Sequence, residues 1–125
     1  MSVRVLIVDD LEPFRSAARA VVTATPGFEV AGEAATGEES IEQTRALRPE
    51  LILMDVNLPG IGGVEATRQI LTDMPGAVVV LVSIRDADDV GSVAADCGAS
   101  AYIAKSAFSS KSLTQAWAAA GGRTR

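Results

Sequence analysis

The sequence predicts an α/β fold in which strands and helices alternate along the chain. Continuous apolar runs, typical of strands buried on both faces of a parallel sheet, alternate with amphipathic stretches at helical spacing. Glycines and prolines separate these segments. The length of 125 residues allows one domain of ordinary size. We therefore expect five strand–helix units, a parallel sheet with helices on both faces, and right-handed crossovers.

The first unit combines a buried strand with an amphipathic helix. The strand is predicted over residues 3–8, where every residue except Arg4 is apolar. Pro13 suits the first turn of a helix, because the backbone N–H group that it lacks would have no helical partner there. Apolar residues then recur at helical spacing, and they are Phe14, Ala17, Ala18, Val21 and Val22.

The second unit begins after the turn dipeptide Pro26-Gly27, with a strand predicted over residues 28–34. Thr36 and Glu39 have the spacing of a capping box, in which two side chains bond to free N–H groups at a helix start. The second helix should begin there and run to residue 47 or 48. Pro49 then ends it.

The third unit contains a short, entirely apolar strand over residues 51–54, which ends at Asp55. A loop rich in glycine and proline follows over residues 57–63. The third helix is predicted over residues 64–73.

The last two units have shorter strands. The fourth strand is predicted over residues 78–82, followed by a helix over 86–97 that Gly98 caps. The fifth strand is predicted over 101–104 and the fifth helix over 109–120. The apolar face of this last helix is formed by Leu113, Ala116, Trp117 and Ala120, and Gly121-Gly122 ends it.

Composition excludes several classes of protein. The chain has 16 acidic and 11 basic residues, a net charge of -5, which argues against nucleic-acid binding by this segment itself. It has no histidine, so histidine-dependent hydrolysis, a histidine zinc site and a phosphohistidine are excluded. A single cysteine excludes an internal disulfide and fits a reducing compartment.

Neither a membrane span nor a signal peptide is visible in the sequence. The longest strongly apolar run, residues 77–82, is far too short to cross a bilayer. The N-terminal apolar run is followed at once by Asp9-Asp10, unlike a secretory signal. We expect a cytoplasmic protein that does not associate with membranes.

Three carboxylates stand directly after predicted strands. Asp9 and Asp10 follow the first strand, and Asp55 ends the third. In an open parallel sheet, ligands bind beyond the carboxyl ends of the strands. With a strand order of 2-1-3-4-5 these carboxylates would share one small space, where they repel one another unless a cation joins them. Mg²⁺ suits such a site, because it takes a few carboxylates and keeps several waters.

The other strand ends supply groups that suit a phosphate. Lys105, one of only two lysines, follows the fifth strand and offers a mobile positive charge. Ser83 follows the fourth strand and offers a hydroxyl group. Asp55 is then placed to act as a nucleophile and become an aspartyl phosphate. Positioning and charge neutralisation dominate such a transfer.

In these residues the chain resembles the receiver domain of two-component response regulators, over residues 3–120. The resemblance is carried by Asp9-Asp10, Asp55, Leu58-Pro59-Gly60, Gly63, Ser83, Tyr102 and Lys105. Their context is most similar to the NarL/FixJ-like subfamily. The resemblance implies a (βα)5 flavodoxin-like three-layer sandwich with five helices and the order 2-1-3-4-5. It also implies a receiver over 1–120, followed by a tail or the start of a linker over 121–125.

The resemblance also implies a role for each matching residue. Asp55 would accept a phosphoryl group from a sensor histidine kinase, and Lys105 would pair with that phosphate. Mg²⁺ would be held by Asp10 and Asp55, by the backbone carbonyl of Asn57, and by Asp9 through water. Ser83 would move toward the phosphate and Tyr102 would turn inward, changing the face formed by helix 4, strand 5 and helix 5. Such a switch could dimerise this protein and control transcription through an attached output domain that binds DNA.

Three residues depart from the receiver pattern. Ser106 stands where many receivers have a proline after a cis bond, and we expect a trans bond here because a cis bond to serine costs roughly 3 kcal/mol. Gly62 stands where Asp or Asn is usual, and the turn should survive. Ile84 stands where a small residue is common, so it could narrow access to Asp55 and slow phosphorylation by small donors.

Two alternatives to the phosphorylation switch stay open. The first is a receiver-like domain that signals through protein contacts without phosphorylation. The second is a haloacid-dehalogenase-type phosphohydrolase, which also uses a nucleophilic aspartate and Mg²⁺. That family expects a second aspartate two residues further on, where this chain has Asn57. For the leading hypothesis we expect a switch that modifies itself, without a turnover substrate.

Overall fold

The computed structural model describes residues 2–84 and 96–122. It contains one five-stranded parallel sheet with the strand order β2-β1-β3-β4-β5, as the sequence predicts. The strands are β1 (Val3–Val8), β2 (Phe28–Ala34), β3 (Leu51–Asp55), β4 (Val78–Ser83) and β5 (Ala101–Ala104). The bounds of β1, β2 and β5 are those predicted from the sequence.

Four helices lie within the described residues. They are α1 (Glu12–Ala24), α2 (Gly37–Leu47), α3 (Gly62–Asp73) and the C-terminal helix (Ser110–Ala119), and a short 3-10 helix covers Lys105–Ala107. The helix predicted over 86–97 lies almost wholly outside the described residues. Residues 96 and 97 are helical, and Gly98 follows with a φ of 89°, the conformation expected of a capping glycine.

The two faces of the sheet carry two separate apolar clusters. Alternate strand residues such as Leu51 and Leu53 pack with α1 and the C-terminal helix, including Trp117, on what we name the α1 face. Their neighbours Ile52 and Met54 pack with α2 and α3 on what we name the α2 face. This confirms the three-layer arrangement.

The helix starts differ in detail from the expectation. The Thr36 side chain accepts the Glu39 backbone N–H at 3.0 Å, but the Glu39 carboxylate accepts from Ala35, one residue before the cap position. The predicted capping box therefore has its first bond, but the second bond comes from the N–H of Ala35 in place of that of Thr36. The expected start of α3 at residue 64 was two residues late, because Gly62 and Gly63 belong to its first turn. No helix within the described ranges is long and apolar enough to span a bilayer.

Candidate functional site at the carboxyl edge of the sheet

The strand register brings the predicted site residues to one edge of the sheet. Val8 of β1 pairs with Met54 of β3, so the residues that follow them, Asp9 and Asp55, come side by side. On the other side of β3, β4 and β5 end together, where Ser83 pairs with Ala104. Lys105 follows Ala104 directly and therefore reaches the same edge.

The three predicted carboxylates form a cluster. Asp9, Asp10 and Asp55 each offer an oxygen, and these oxygens lie within 4.8 Å of one another. Asp9 is 0% exposed and Asp55 is 3% exposed, whereas Asp10 lies exposed at the rim. The N-cap of α1 is Leu11, whose N–H donates to Asp9 Oδ1 at 2.8 Å. The acidic pair therefore precedes the helix cap and points into the cluster.

Lys105 provides the positive charge of this site. Its Nζ lies 2.7 Å from Asp9 Oδ2 and 3.8 Å from Asp55 Oδ2. Its side chain is only 12% exposed, unlike that of an ordinary surface lysine. The ammonium group therefore sits between two buried carboxylates and is nearer to Asp9.

The environment of Asp55 raises the pKa of its carboxyl group. The largest cause is burial, which disfavours the charged form, and the nearby charge of Asp9 acts in the same direction, as does that of Asp10 to a smaller extent. The backbone N–H of Asn57, 3.2 Å from Asp55 Oδ1, and the ammonium of Lys105 lower the pKa and oppose this. One lysine thus leaves the cluster short of positive charge.

The donor set of the cluster fits a hard divalent cation. Asp9 Oδ2 is buried and forms an ion pair with Lys105, but it accepts no aligned hydrogen bond from the described part of the chain. Lys105 thus compensates this oxygen by charge, and a second cation or donor would stabilise the buried carboxylate further. Carboxylate oxygens at this spacing suit Mg²⁺.

Ser83 and Tyr102 lie beside the cluster. Ser83 is fully buried, and its Oγ accepts a long bond of 3.5 Å from Asn57 Nδ2. The Tyr102 hydroxyl donates to the Ser83 carbonyl oxygen at 3.4 Å. Tyr102 is half-buried and packs against the cluster of the α2 face. The Tyr102 hydroxyl therefore contacts the backbone of Ser83 at the end of β4.

The loop after Asp55 is held close by glycine. A Cβ atom on Gly63 would lie 1.9 Å from the Asp55 carbonyl oxygen, so only glycine fits there. Gly62 has a φ of 80° and nothing within 4 Å of an added Cβ, so the turn survives the departure noted above. The bond between Lys105 and Ser106 is trans, as expected. Ile84 is 78% exposed, and its effect on access to Asp55 stays a prediction.

Sequence comparison shows the family of this chain. The response regulator receiver domain family matches residues 5–118, nearly the whole chain. The chain belongs to this family.

Similar proteins agree with the subfamily indicated by the sequence. The response regulator GacA of Pseudomonas viridiflava is 40% identical over 105 residues, which cover 84% of this chain and 49% of that protein. A solved LuxR-family response regulator from Aurantimonas sp. SI85-9A1 has a TM-score of 0.87 and 31% identity, covering 100% of this chain and 90% of that one. The receiver domain of NarL from Mycobacterium tuberculosis has a TM-score of 0.88 and 25% identity, with 98% of each chain covered. The chain spans about half the length of the curated relatives it matches first.

Two residues near the site were not predicted from the sequence. Arg15 Nη1 donates to the Asp9 carbonyl oxygen at 2.6 Å, and its guanidinium also pairs with Glu12 and Glu33. The ring of Phe14, assigned above only to an apolar stripe, lies under the Lys105 ammonium at 4.6 Å. Both residues follow the acidic pair by about one helical turn, and this spacing could have indicated from the sequence that they lie near the site.

Proposed function

We propose that Asp55 accepts a phosphoryl group from a phosphohistidine of a sensor histidine kinase. The observation that supports this is a buried carboxylate beside one ammonium group and two further carboxylates, within reach of a single ion. In the step, an Asp55 oxygen bonds to phosphorus as the bond from phosphorus to the histidine nitrogen breaks. The ring nitrogen takes the electron pair of the broken bond, and the imidazole leaves neutral because a proton on its other ring nitrogen, bound before transfer or supplied by water, balances that pair.

We propose that Mg²⁺ binds among these groups. Asp10 and Asp55 would hold it directly, Asn57 through its backbone carbonyl and Asp9 through water. The ion would neutralise charge on the phosphoryl oxygens during transfer. Lys105, already 3.8 Å from Asp55, would pair with the phosphate that forms there.

The same proposal includes a switch in which Ser83 and Tyr102 follow the phosphate. Ser83 Oγ, which accepts a long bond from Asn57 Nδ2, would turn to donate its own proton to the phosphoryl oxygen in a charge-assisted hydrogen bond. The Tyr102 hydroxyl, now at 3.4 Å from the Ser83 carbonyl, would then lose that weak bond and turn inward. This would change the surface beside β5.

The consequences for the whole protein are also proposals. An output domain beyond this chain would control transcription, and phosphorylation would promote a homodimer. The dimer would form either through β5, the C-terminal helix and the predicted helix over 86–97, or through α1 and the C-terminal helix. An open groove of about 430 Å³ between β5 and the C-terminal helix supports the first of these faces. We expect action in the cytoplasm and stoichiometric modification without a turnover substrate. Sizing with and without beryllofluoride tests the dimer, and identical monomer peaks at high concentration would contradict it.

The test of phosphorylation is intact-mass measurement with Mg²⁺ and acetyl phosphate or phosphoramidate. We expect one adduct of about 80 Da, the mass of one phosphoryl group, on the wild type and none on Asp55→Asn. Labelling should be slow, and Ile84→Ala should accelerate it if Ile84 limits access. An absence of adduct with these donors and with the cognate kinase would favour the phosphorylation-independent alternative. Continuous turnover of p-nitrophenyl phosphate would instead favour a phosphohydrolase.

A further inference from the structure

The ammonium group of Lys105 has a third neighbour besides the two carboxylates. Its Nζ lies over the ring of Phe14, 4.6 Å from the ring centroid, within the range of a cation–π contact. The contact joins the first turn of α1 to the end of β5. The neutral, polarisable face of the Phe14 ring therefore lies against the positive charge of Lys105.

The ring is itself held from two sides. Phe14 packs against Phe108 with a centroid distance of 6.0 Å and an interplanar angle of 54°. Phe108 directly follows the short helix that begins at Lys105. Both rings pack against the apolar cluster of the α1 face. The ring is therefore held by apolar packing and not by contacts with the carboxylates.

We propose that Phe14 is a positioning residue for Lys105, holding the ammonium at the site while the carboxylates exchange partners. The inference rests on the proposed function, in which Asp9 and Asp55 are drawn toward Mg²⁺ and the phosphoryl group. Both present ion-pair partners of Lys105 are thus engaged by the reaction. The reaction does not engage Phe14, because an aromatic ring is not a ligand for Mg²⁺ and has no net charge that could interact with a phosphate.

Low exposure makes this contact matter. Cation–π contacts strengthen when the cation is desolvated, and the Lys105 side chain is only 12% exposed. If Phe14→Leu keeps the apolar packing but removes the π face, the phosphorylation rate constant should fall about fivefold. That loss corresponds to ~1 kcal/mol. Phe14→Tyr, which keeps the face, should restore most of the rate.

The lysines of the chain allow the contact to be observed without phosphorylation. The chain has only two, so ¹³C-lysine labelling gives two ε-methylene signals, and Lys111→Arg assigns them. Lys111 is exposed and serves as an internal control. Ring current from Phe14 should move the Lys105 ε-protons upfield of those of Lys111. Phe14→Leu should remove this difference and Phe14→Tyr should keep it.

Fluorination separates the π face from simple packing. Stepwise fluorination of Phe14 weakens the negative ring face with little change in volume, so the phosphorylation rate constant should fall step by step. Phe28 is the matched control, because it is buried on the same face and packs edge-on against Trp117 at 6.4 Å. Equal sensitivity at both positions, or none at Phe14, would overturn the inference.

The two measurements also separate this inference from the proposed function. A wild type that takes no phosphoryl group but shows the ring-current shift would contradict the proposed function and keep the lysine–ring contact. If the wild type is phosphorylated normally but the Lys105 ε-protons show no ring-current shift, only the role of Phe14 is contradicted.

Discussion

Replacing Gly63 with alanine tests how closely α3 must approach the backbone of Asp55. The new Cβ would lie 1.9 Å from the Asp55 carbonyl oxygen and 3.0 Å from the Val56 Cα. Ordinary contact begins near 3.4 Å, so helix and strand end must separate by about 1.5 Å. The obstructing atoms are backbone and cannot rotate away, so we expect a loss near the upper end of the ~1–3 kcal/mol typical of overpacking.

Two other glycines provide matched controls for this prediction. Gly76 has no positive φ and nothing within 4 Å of an added Cβ, so Gly76→Ala should be neutral or stabilise by ~0.4–1 kcal/mol through the unfolded state. Gly62 has open space but a φ of 80°, so Gly62→Ala should cost ~1–2 kcal/mol from backbone strain alone.

The assay is urea denaturation followed by circular dichroism, with the slope m compared among the variants. Gly63→Ala should lower the midpoint most and leave the slope unchanged. Phosphorylation of the surviving folded fraction should also slow, since the displaced atoms belong to Asp55. If Gly63→Ala were as stable as Gly76→Ala, the close approach of α3 to the strand would be refuted.

Three further predictions concern the site and one helix cap. Because burial raises the pKa of Asp55 in the folded state, its ionisation costs stability as the pH rises above its ordinary value of 3.8. Asp55→Asn should therefore stabilise the Mg²⁺-free protein at pH 7 in urea melts, and the gain should vanish below that pKa; an equal gain at every pH would contradict this cause. Mg²⁺ at 100 times its dissociation constant should stabilise the wild type by about 2.7 kcal/mol, and Asp10→Asn should lose most of this, as thermal melts against EDTA would measure. Thr36→Ala should cost about 1 kcal/mol in urea melts, because the N–H of Glu39 loses its acceptor; an unchanged midpoint would argue against the cap.

The strands of this fold were predictable because four of them are nearly continuous apolar runs between turn formers, and β2 follows the turn dipeptide Pro26-Gly27. β2 (Phe28–Ala34) and β5 (Ala101–Ala104) have the expected bounds. The gathering of Asp9, Asp55 and Lys105 also followed from position, since parallel strands end at one edge. Because the strands are parallel and adjacent, residues that directly follow them in the sequence lie close together at that edge.

Other features depend on contacts that no local pattern contains. The start of α3 was placed too late, because Gly62 and Gly63 were assigned to the loop. Only the packed structure shows that Gly63 must fit against the Asp55 carbonyl oxygen. Likewise, the spacing of Phe14 predicts a buried stripe, and the lysine that contacts its ring lies near the other end of the chain.

The two apolar layers have a consequence for how this edge of the sheet can evolve. Phe14, beneath the lysine, and its neighbour Phe108 pack into the α1 face, whereas Tyr102 packs into the α2 face. The sheet lies between them as a partition. In the proposed function, the lysine that would pair with the phosphate and the tyrosine that would respond to it therefore rest on different apolar layers. Substitutions in the layer of the α1 face could therefore change how firmly Lys105 is held. They would leave the packing of Tyr102 in the layer of the α2 face unchanged.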